Sequence, residues 1–297
     1  MTADAPKERF PDWDRNPRPP VPMPPRGSCD CQVHIYGGDK YPPKWKIGHE
    51  LPDASLADAQ RVLGVMGFDR MVLVHPSVYE TDYRLIIDLL KGLPDRSNYR
   101  GVVVATDETT DAQLAELDSL GVCGVRFHIA SRYEPYDKAH FLRTVARVRE
   151  LGWHVRLHLD PPDLIEFADV LKSIEDVPMS IDHMGRVDFS KGLDQPAMKL
   201  ILDLLQRPNW WMMASNGNRT SAMDKDWDDA VPFGRALVEA APDRIIWATD
   251  FPHVRWRKKR MMNDAEEVEL FYRYVDHDAG LIQKILVDNA ARLHGFK

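Results

Sequence analysis

The sequence reads as an α/β protein of the (β/α)8 TIM-barrel class with an extended proline-rich N-terminal arm. Three observations carry that reading. Apolar, β-rich runs alternate with helix-period segments from residue 28 onward, there are eight such units, and their strand ends recur about every 30 residues, the length of one strand–helix unit. The chain has 297 residues, and barrels of this kind commonly use about 250 or more as one domain. A doubly wound open sheet is the competing architecture, but it calls for a Gly-x-Gly-x-x-Gly turn after the first strand, and none stands there.

Residues 1–27 carry eight prolines and almost no apolar periodicity, so they read as an arm that wraps the body or a neighbouring subunit of a homo-oligomer. Residues 28–297 form the single barrel domain. Strands are expected at Ser28–Tyr36, Arg70–His75, Gly101–Thr106, Gly124–Ile129, His154–Leu159, Pro178–His183, Trp210–Ala214 and Ile245–Asp250. Helices are expected at Leu56–Met66, Tyr83–Lys91, Ala112–Leu120, Lys138–Leu151, Asp163–Ser173, Gln195–Gln206, Asp228–Ala240 and Asp264–Asp276, with a terminal amphipathic stretch at Leu281–Leu293. Short polar residues precede the first four (Ser55, Asp82, Thr110, Asp137, the last after Tyr136), as N-caps should. Gly67, Gly121 and Gly152 close their helices in the left-handed conformation that glycine adopts cheaply.

Composition excludes several classes. Net charge is −7, with 39 Lys plus Arg against 46 Asp plus Glu, which disfavours nucleic acid and anionic membranes as partners. No apolar run approaches the roughly 20 residues that span a bilayer, and no cationic start leads into an apolar stretch, so the cytoplasm is the expected location. Three cysteines are too few for a disulfide framework. Strict strand alternation puts Asp30, Gln32 and His34 on one face and Cys29, Cys31 and Val33 on the other, so the two thiols are expected to be buried against helices. One basic run, Arg255-Trp256-Arg257-Lys258-Lys259-Arg260, starts two residues after His253 and can reach over the barrel mouth toward an anionic substrate.

Chemistry in such barrels sits at the C-terminal strand ends. Those ends carry Gln32 and His34, His75, Thr106, Arg126 and His128, Arg156 and His158, His183 and Arg186, then Ser215, Asn216 and Arg219, and finally Asp250 and His253. Five of the eleven histidines fall at one relative position, a repetition that packing alone does not produce. Two readings stay open. His34, His158, His183 and Asp250 form a tetrahedral donor set for Zn²⁺ or another divalent metal, to which the amide of Gln32 is a poor addition. Alternatively the site is metal-free, with Asp250 taking a proton from water while imidazolium groups polarise a carbonyl. Several arginines at one mouth point to bidentate clamps for a substrate with two or more carboxylate or sulfonate groups.

These residues resemble the amidohydrolase superfamily. The resemblance rests on Asp-x-x-x-His-x-x-Gly at residues 30–37, Gly-Val-Arg-Phe at 124–127, Ile-Asp-His-Met-Gly-Arg at 181–186, Trp-x-Thr-Asp-Phe-Pro-His at 247–253 and the terminal Asp-Asn-Ala-Ala-Arg-Leu at 288–293. Within the superfamily it is similar to the 2-pyrone-4,6-dicarboxylate lactonase branch, which acts on anionic lactones. The resemblance implies that Asp250 is the general base and that His34 and His183 polarise the lactone carbonyl. Arg126, Arg186 and Arg219 would hold the acidic groups, and His253 would sit at the mouth. His75, His128, Arg156 and Ser215 complete the expected substrate contacts.

Two positions depart from the family pattern. Gln32 stands where the first histidine of a His-x-His pair is usual, and His158 stands where the pyrone lactonases have tyrosine and the metal-dependent branches have histidine. The expected activity is ring opening of a carboxylated or sulfonated lactone in aromatic catabolism, such as a muconolactone or a pyrone dicarboxylate. A decarboxylase or hydratase of unsaturated di- or tricarboxylates is the alternative enzyme, and a non-catalytic anion-binding barrel the alternative of another class.

Overall fold

The computed structural model of the protein describes residues 7–129 and 137–297; residues 1–6 of the arm and Tyr136 at the fourth helix cap lie outside them. Eight parallel strands follow one another in chain order: β1 (Cys29–Val33), β2 (Arg70–Val74), β3 (Tyr99–Val103), β4 (Val122–Ile129), β5 (His154–Leu159), β6 (Met179–Ile181), β7 (Trp210–Met213) and β8 (Ile245–Ile246). The last unit meets the first through backbone bonds from Cys31 N to Trp247 O (3.1 Å), Asp250 N to Gln32 O (3.2 Å) and His34 N to Phe251 O (2.8 Å). The sheet thereby closes into a (β/α)8 barrel with no free edge.

Local sequence explains where the helices start. Ser55 and Thr110 make reciprocal capping boxes with Asp58 and Gln113, and Asp137 accepts from the amides of Ala139 and His140. Gly67 ends its helix at φ 83°. The expected helix Asp163–Ser173 is instead two short helices, Pro161–Glu166 and Ala168–Lys172, because Pro161 and Pro162 fit a first turn, so the helix begins earlier. The terminal stretch is likewise divided, with a π-helical segment at Lys284–Asn289. Among the described residues no helix is long and apolar enough to cross a membrane.

One expectation fails at β1. Its register against β2 shifts between Asp30 and Val33, a β-bulge, and the alternation of side chains breaks there. Cys29 and Cys31 therefore do not face the helices. They pack inside the barrel with Val72, Val74, Val102, Met213 and Ile246, below which Phe296 from the C-terminus closes the floor. Val33 faces outward into the large core between sheet and helices with Leu73, Leu157 and Trp247. The bulge lets Gln32 follow Cys31 into the interior.

Residues 7–27 lie along the body. Trp13 is buried against Phe251, with ring centroids 5.0 Å apart, and donates from Nε1 to Asp53 O. Arg18 forms a bidentate pair with Glu269 at 2.6 Å on each arm.

Candidate active site

The last three strands end earlier than the sequence suggests, and the reason lies in the site. After β6 the chain passes through His183, Met184, Gly185 and Arg186 at φ 53°, 54°, 65° and 52°. After β7, Asn216 sits at φ 61°, and after β8, Asp250, His253 and Arg255 sit at 64°, 61° and 59°. Left-handed backbone at non-glycine residues costs on the order of 1–2 kcal/mol each. Here it turns side chains inward that a continuing strand would send elsewhere. A Cβ on Gly185 would lie 2.4 Å from Ile201 Cδ1, so a side chain there would have to displace Ile201.

These ends line an open cavity of about 1280 Å³. Its inner wall includes His34, Tyr36, Arg126, His128, His158, Asp160, His183, Arg186, Asn216, Arg219 and Asp250, and its mouth carries Lys46, Arg255, Arg257 and Lys258. The basic run after His253 thus borders the cavity.

Asp250 is the centre of the hydrogen-bond frame. Its Oδ1 accepts from Gln32 Nε2 at 2.8 Å and faces His34 Nε2 at 3.2 Å, while Arg219 lies 3.5 Å from Oδ2. His34 Nδ1 meets the carbonyl of Val74 at 2.8 Å. A carbonyl and a carboxylate both accept, so each contact calls for an N–H on the ring nitrogen that faces it. Burial pushes the Asp250 carboxyl up, but the hydrogen bond from His34 and the Arg219 guanidinium oppose this, and it is held well below the ordinary carboxylate range.

Gln32 is oriented by chemistry. Arg156 has only donors, and its Nη2 lies 2.9 Å from Gln32 Oε1, so that atom is the oxygen and Nε2 is the amide nitrogen. The same Nε2 lies 3.1 Å from His183 Nε2, which must accept. His183 is therefore neutral with its proton on Nδ1, and burial lowers its pKa to about 4 against the pull of Asp250 and Asp182. The expectation of an imidazolium at His183 that polarises a carbonyl is not met.

The positive charges surround this pair. Arg126 Nε donates to Asp182 at 2.8 Å and its Nη2 faces His158 Nδ1 at 2.9 Å; Arg186 pairs with Asp160 at 2.7 Å and faces His158 Nε2 at 3.2 Å. Burial, then Arg126, His128, His183 and Arg186, hold His158 well below its ordinary pKa. A neutral imidazole has one lone pair, yet both His158 nitrogens face guanidinium donors. An anionic oxygen inserted between them relieves that conflict. Four arginines (Arg126, Arg156, Arg186, Arg219) against Asp160, Asp182 and Asp250 leave this group of residues net positive.

Of the expected site residues, His34, Arg126, His128, His158, His183, Arg186, Arg219 and Asp250 converge on the cavity, and four do not. Arg156 is fully buried beneath it, bonded to Cys31 O, Gln32 and Asp182, and cannot reach a ligand. Ser215 is sealed at 0 % exposure. His253 turns away and pairs with buried Asp264 at 2.8 Å. His75 packs between Tyr79 and Tyr83 beside the barrel wall. Asp182, named in the Ile-Asp-His run and readable as an internal salt-bridge partner for nearby arginines, holds Arg126 and Arg156, and sequence reasoning missed the amide role of Gln32.

His158, Asp182 and His183 offer donor atoms within 4.8 Å of one another, so a His/Asp/His group able by distance to share an ion is present. It differs from the expected set, with Asp182 in place of His34 and Asp250. As arranged, the donors do not fit a divalent cation. The oxygens of Asp182 face Arg126 and Arg156, both nitrogens of His158 face guanidinium groups, and the His183 Nε2 lone pair accepts from Gln32.

The amidohydrolase family pattern matches residues 29–296. A 4-sulfomuconolactone hydrolase of Hydrogenophaga intermedia is 34 % identical over 277 residues, covering 92 % of this chain and 90 % of that protein. A 2-pyrone-4,6-dicarboxylate hydrolase of Comamonas testosteroni is 33 % identical, with 95 % of each chain covered. Among solved structures, a Pseudomonas putida protein provisionally described as a 2-pyrone-4,6-dicarboxylic acid hydrolase has a TM-score of 0.79 at 29 % identity, covering 91 % of this chain and 98 % of its own. The same fold occurs in a Burkholderia multivorans amidohydrolase with bound zinc, at TM-score 0.65 and 16 % identity over 91 % of this chain and 99 % of that one.

The buried His75 gives a stability test. Burial lowers its pKa to about 4, whereas in the unfolded chain it titrates near 6.5. The unfolded state then binds more protons between those values, so the contribution is intact above pH 6.5 and falls away toward pH 4. Between pH 7 and pH 5, urea unfolding of the wild type should lose about 2 kcal/mol more than that of His75→Phe. Equal losses would show that His75 titrates in the fold as it does in the unfolded chain.

Proposed function

The chain belongs to the amidohydrolase family, and from that membership we propose that it is a lactone hydrolase that opens the ring of a small carboxylated or sulfonated lactone. One observation carries the reading: the largely enclosed carboxylate of Asp250 faces the cavity within a set of guanidinium groups that holds more positive charge than the aspartates paired with them neutralise. 4-Sulfomuconolactone and 2-pyrone-4,6-dicarboxylate, named for the relatives, are the substrates to try first. Residues 1–27 act as an arm on the 28–297 barrel.

In the proposed reaction the anionic groups of the lactone settle between Arg186, Arg126 and His158, where only one of the two guanidinium donors that face His158 can have its lone pair. Water held by Asp250 attacks the ring carbonyl and passes its proton to that carboxylate. The oxyanion forms against Arg219 and His34 Nε2. Collapse breaks the acyl–oxygen bond of the ring, the protonated Asp250 returns its proton to the departing oxygen, and a hydroxy acid leaves as a carboxylate with one proton released.

A carboxylate of such low basicity is a modest base, worth roughly 10²–10⁴ in rate. Most of the barrier reduction therefore comes from the fixed positive groups around the developing oxyanion. In this reading the guanidinium groups and His34 replace the electrostatic work of a divalent cation, and the Zn²⁺ reading loses support because its ligand lone pairs are already engaged.

Three measurements follow. In a pH-indicator assay over anionic lactones, Asp250→Asn should lower kcat by at least about 10³ with substrate binding nearly intact; a folded variant retaining a tenth of the activity removes Asp250 from the mechanism. Arg186→Met should raise KM far more than it lowers kcat, consistent with a loss of about 2–5 kcal/mol for one charged partner; an unchanged KM ends the clamp. Protein purified without chelator or metal-binding tag should hold well under one equivalent of divalent metal and keep its rate in chelator. One equivalent whose removal stops turnover would restore the zinc reading.

A further inference from the structure

Gln32 is the least expected residue in the site, and its surroundings give it a role beyond filling space. Its side chain is fully buried and every polar atom is used. The oxygen accepts from Arg156, itself sealed at 0 % exposure, and the amide nitrogen donates both to Asp250 Oδ1 at 2.8 Å and to His183 Nε2 at 3.1 Å. An amide has two N–H groups, and here each has one acceptor. Arg156 is in turn fixed by Cys31 O at 2.7 Å and by Asp182 at 3.2 Å. The orientation of the amide is therefore set from beneath by a cation that cannot lose its charge.

We propose that Gln32 is a positioning residue: its amide bridges the general base and His183 as a neutral donor where a bridging cation would otherwise sit, and Arg156 locks it in the donating orientation. The amide does three things at once. It satisfies the inner oxygen of Asp250, so Oδ2 is left to face water and Arg219. It holds His183 in the Nδ1–H tautomer, with the Nε2 lone pair turned to Gln32. It also occupies both lone pairs that a metal would share between Asp250 and His183. The inference rests on the reading of Asp250 as the base, but its first test needs no substrate.

That test is the ¹⁵N NMR signature of the His183 ring in the full-length protein, assigned by its loss in His183→Asn. The bridge requires a neutral ring with Nδ1 protonated and Nε2 bare. An Nε2–H tautomer or an imidazolium at pH 7 would overturn it, whatever the substrate proves to be. Two variants then separate positioning from simple packing. Gln32→Glu keeps the shape and the acceptor for Arg156 but has no donor, so the His183 proton should move to Nε2 to meet the new carboxylate. On whichever lactone the wild type hydrolyses, kcat should fall at least about 100-fold with KM within about threefold, the split expected for a group acting on the base. Gln32→Met removes both ends of the bridge and should lose kcat to a similar degree. Wild-type kcat in a folded Gln32→Glu protein would reduce Gln32 to a partner for Arg156 and overturn the proposal.

Discussion

Asp250 is a largely enclosed carboxylate at the seam where β8 meets β1, and its need for donors organises the residues around it. Removing a carboxylate from water costs several kcal/mol unless charge and hydrogen bonds replace the lost hydration. Gln32 and His34 supply donors from the β1 side, and Arg219 approaches from the turn after β7. The seam itself is tied by the backbone bond from Asp250 N to Gln32 O, so the strand pairing that closes the barrel also sets the distance between base and donors. Fold and site share one constraint here. The low basicity of the carboxylate is the chemical consequence, and it shifts the catalytic burden toward the cationic wall.

A second buried layer stiffens the turns that carry the site. The helix Asp264–Tyr274 turns two acids inward: Asp264 meets His253, and Glu267 accepts the backbone N–H of Asn216 at 2.5 Å. Burial pushes Glu267 up to about 8, so it is held protonated at neutral pH. These contacts fix the left-handed residues after β7 and β8, and a mobile turn there would let Arg219 and Asp250 drift apart. Pre-organised charge, more than any single strong contact, is what such a wall contributes.

Much of this was legible in the sequence because period and position carry it. The alternation of strands and helices gave the barrel, and the recurrence of histidine and arginine at strand ends pointed to the cavity wall that His34, Arg126, His158, His183, Arg186, Arg219 and Asp250 now form. Three kinds of information were not in the pattern. The β1 bulge reversed the expected facing of Cys29 and Cys31, since alternation has no way to signal an extra residue. Left-handed turns moved His253 and Ser215 behind the wall although their numbering places them beside it. Donor and acceptor logic assigned Arg156 to Gln32 rather than to a ligand, and that requires knowing which atoms meet. Gln32 read only as a weak metal ligand, while its neighbours show a bridging donor.

The central claim is that water, activated at Asp250, attacks the acyl carbon of an anionic lactone without a covalent enzyme intermediate. Single-turnover reaction of excess enzyme with 4-sulfomuconolactone or 2-pyrone-4,6-dicarboxylate in H₂¹⁸O, read by mass spectrometry of product and protein, tests it most directly. One ¹⁸O in the new carboxylate and none in Asp250 is the result the account predicts. Loss of CO₂, label on the alcohol carbon, or label in Asp250 would contradict it.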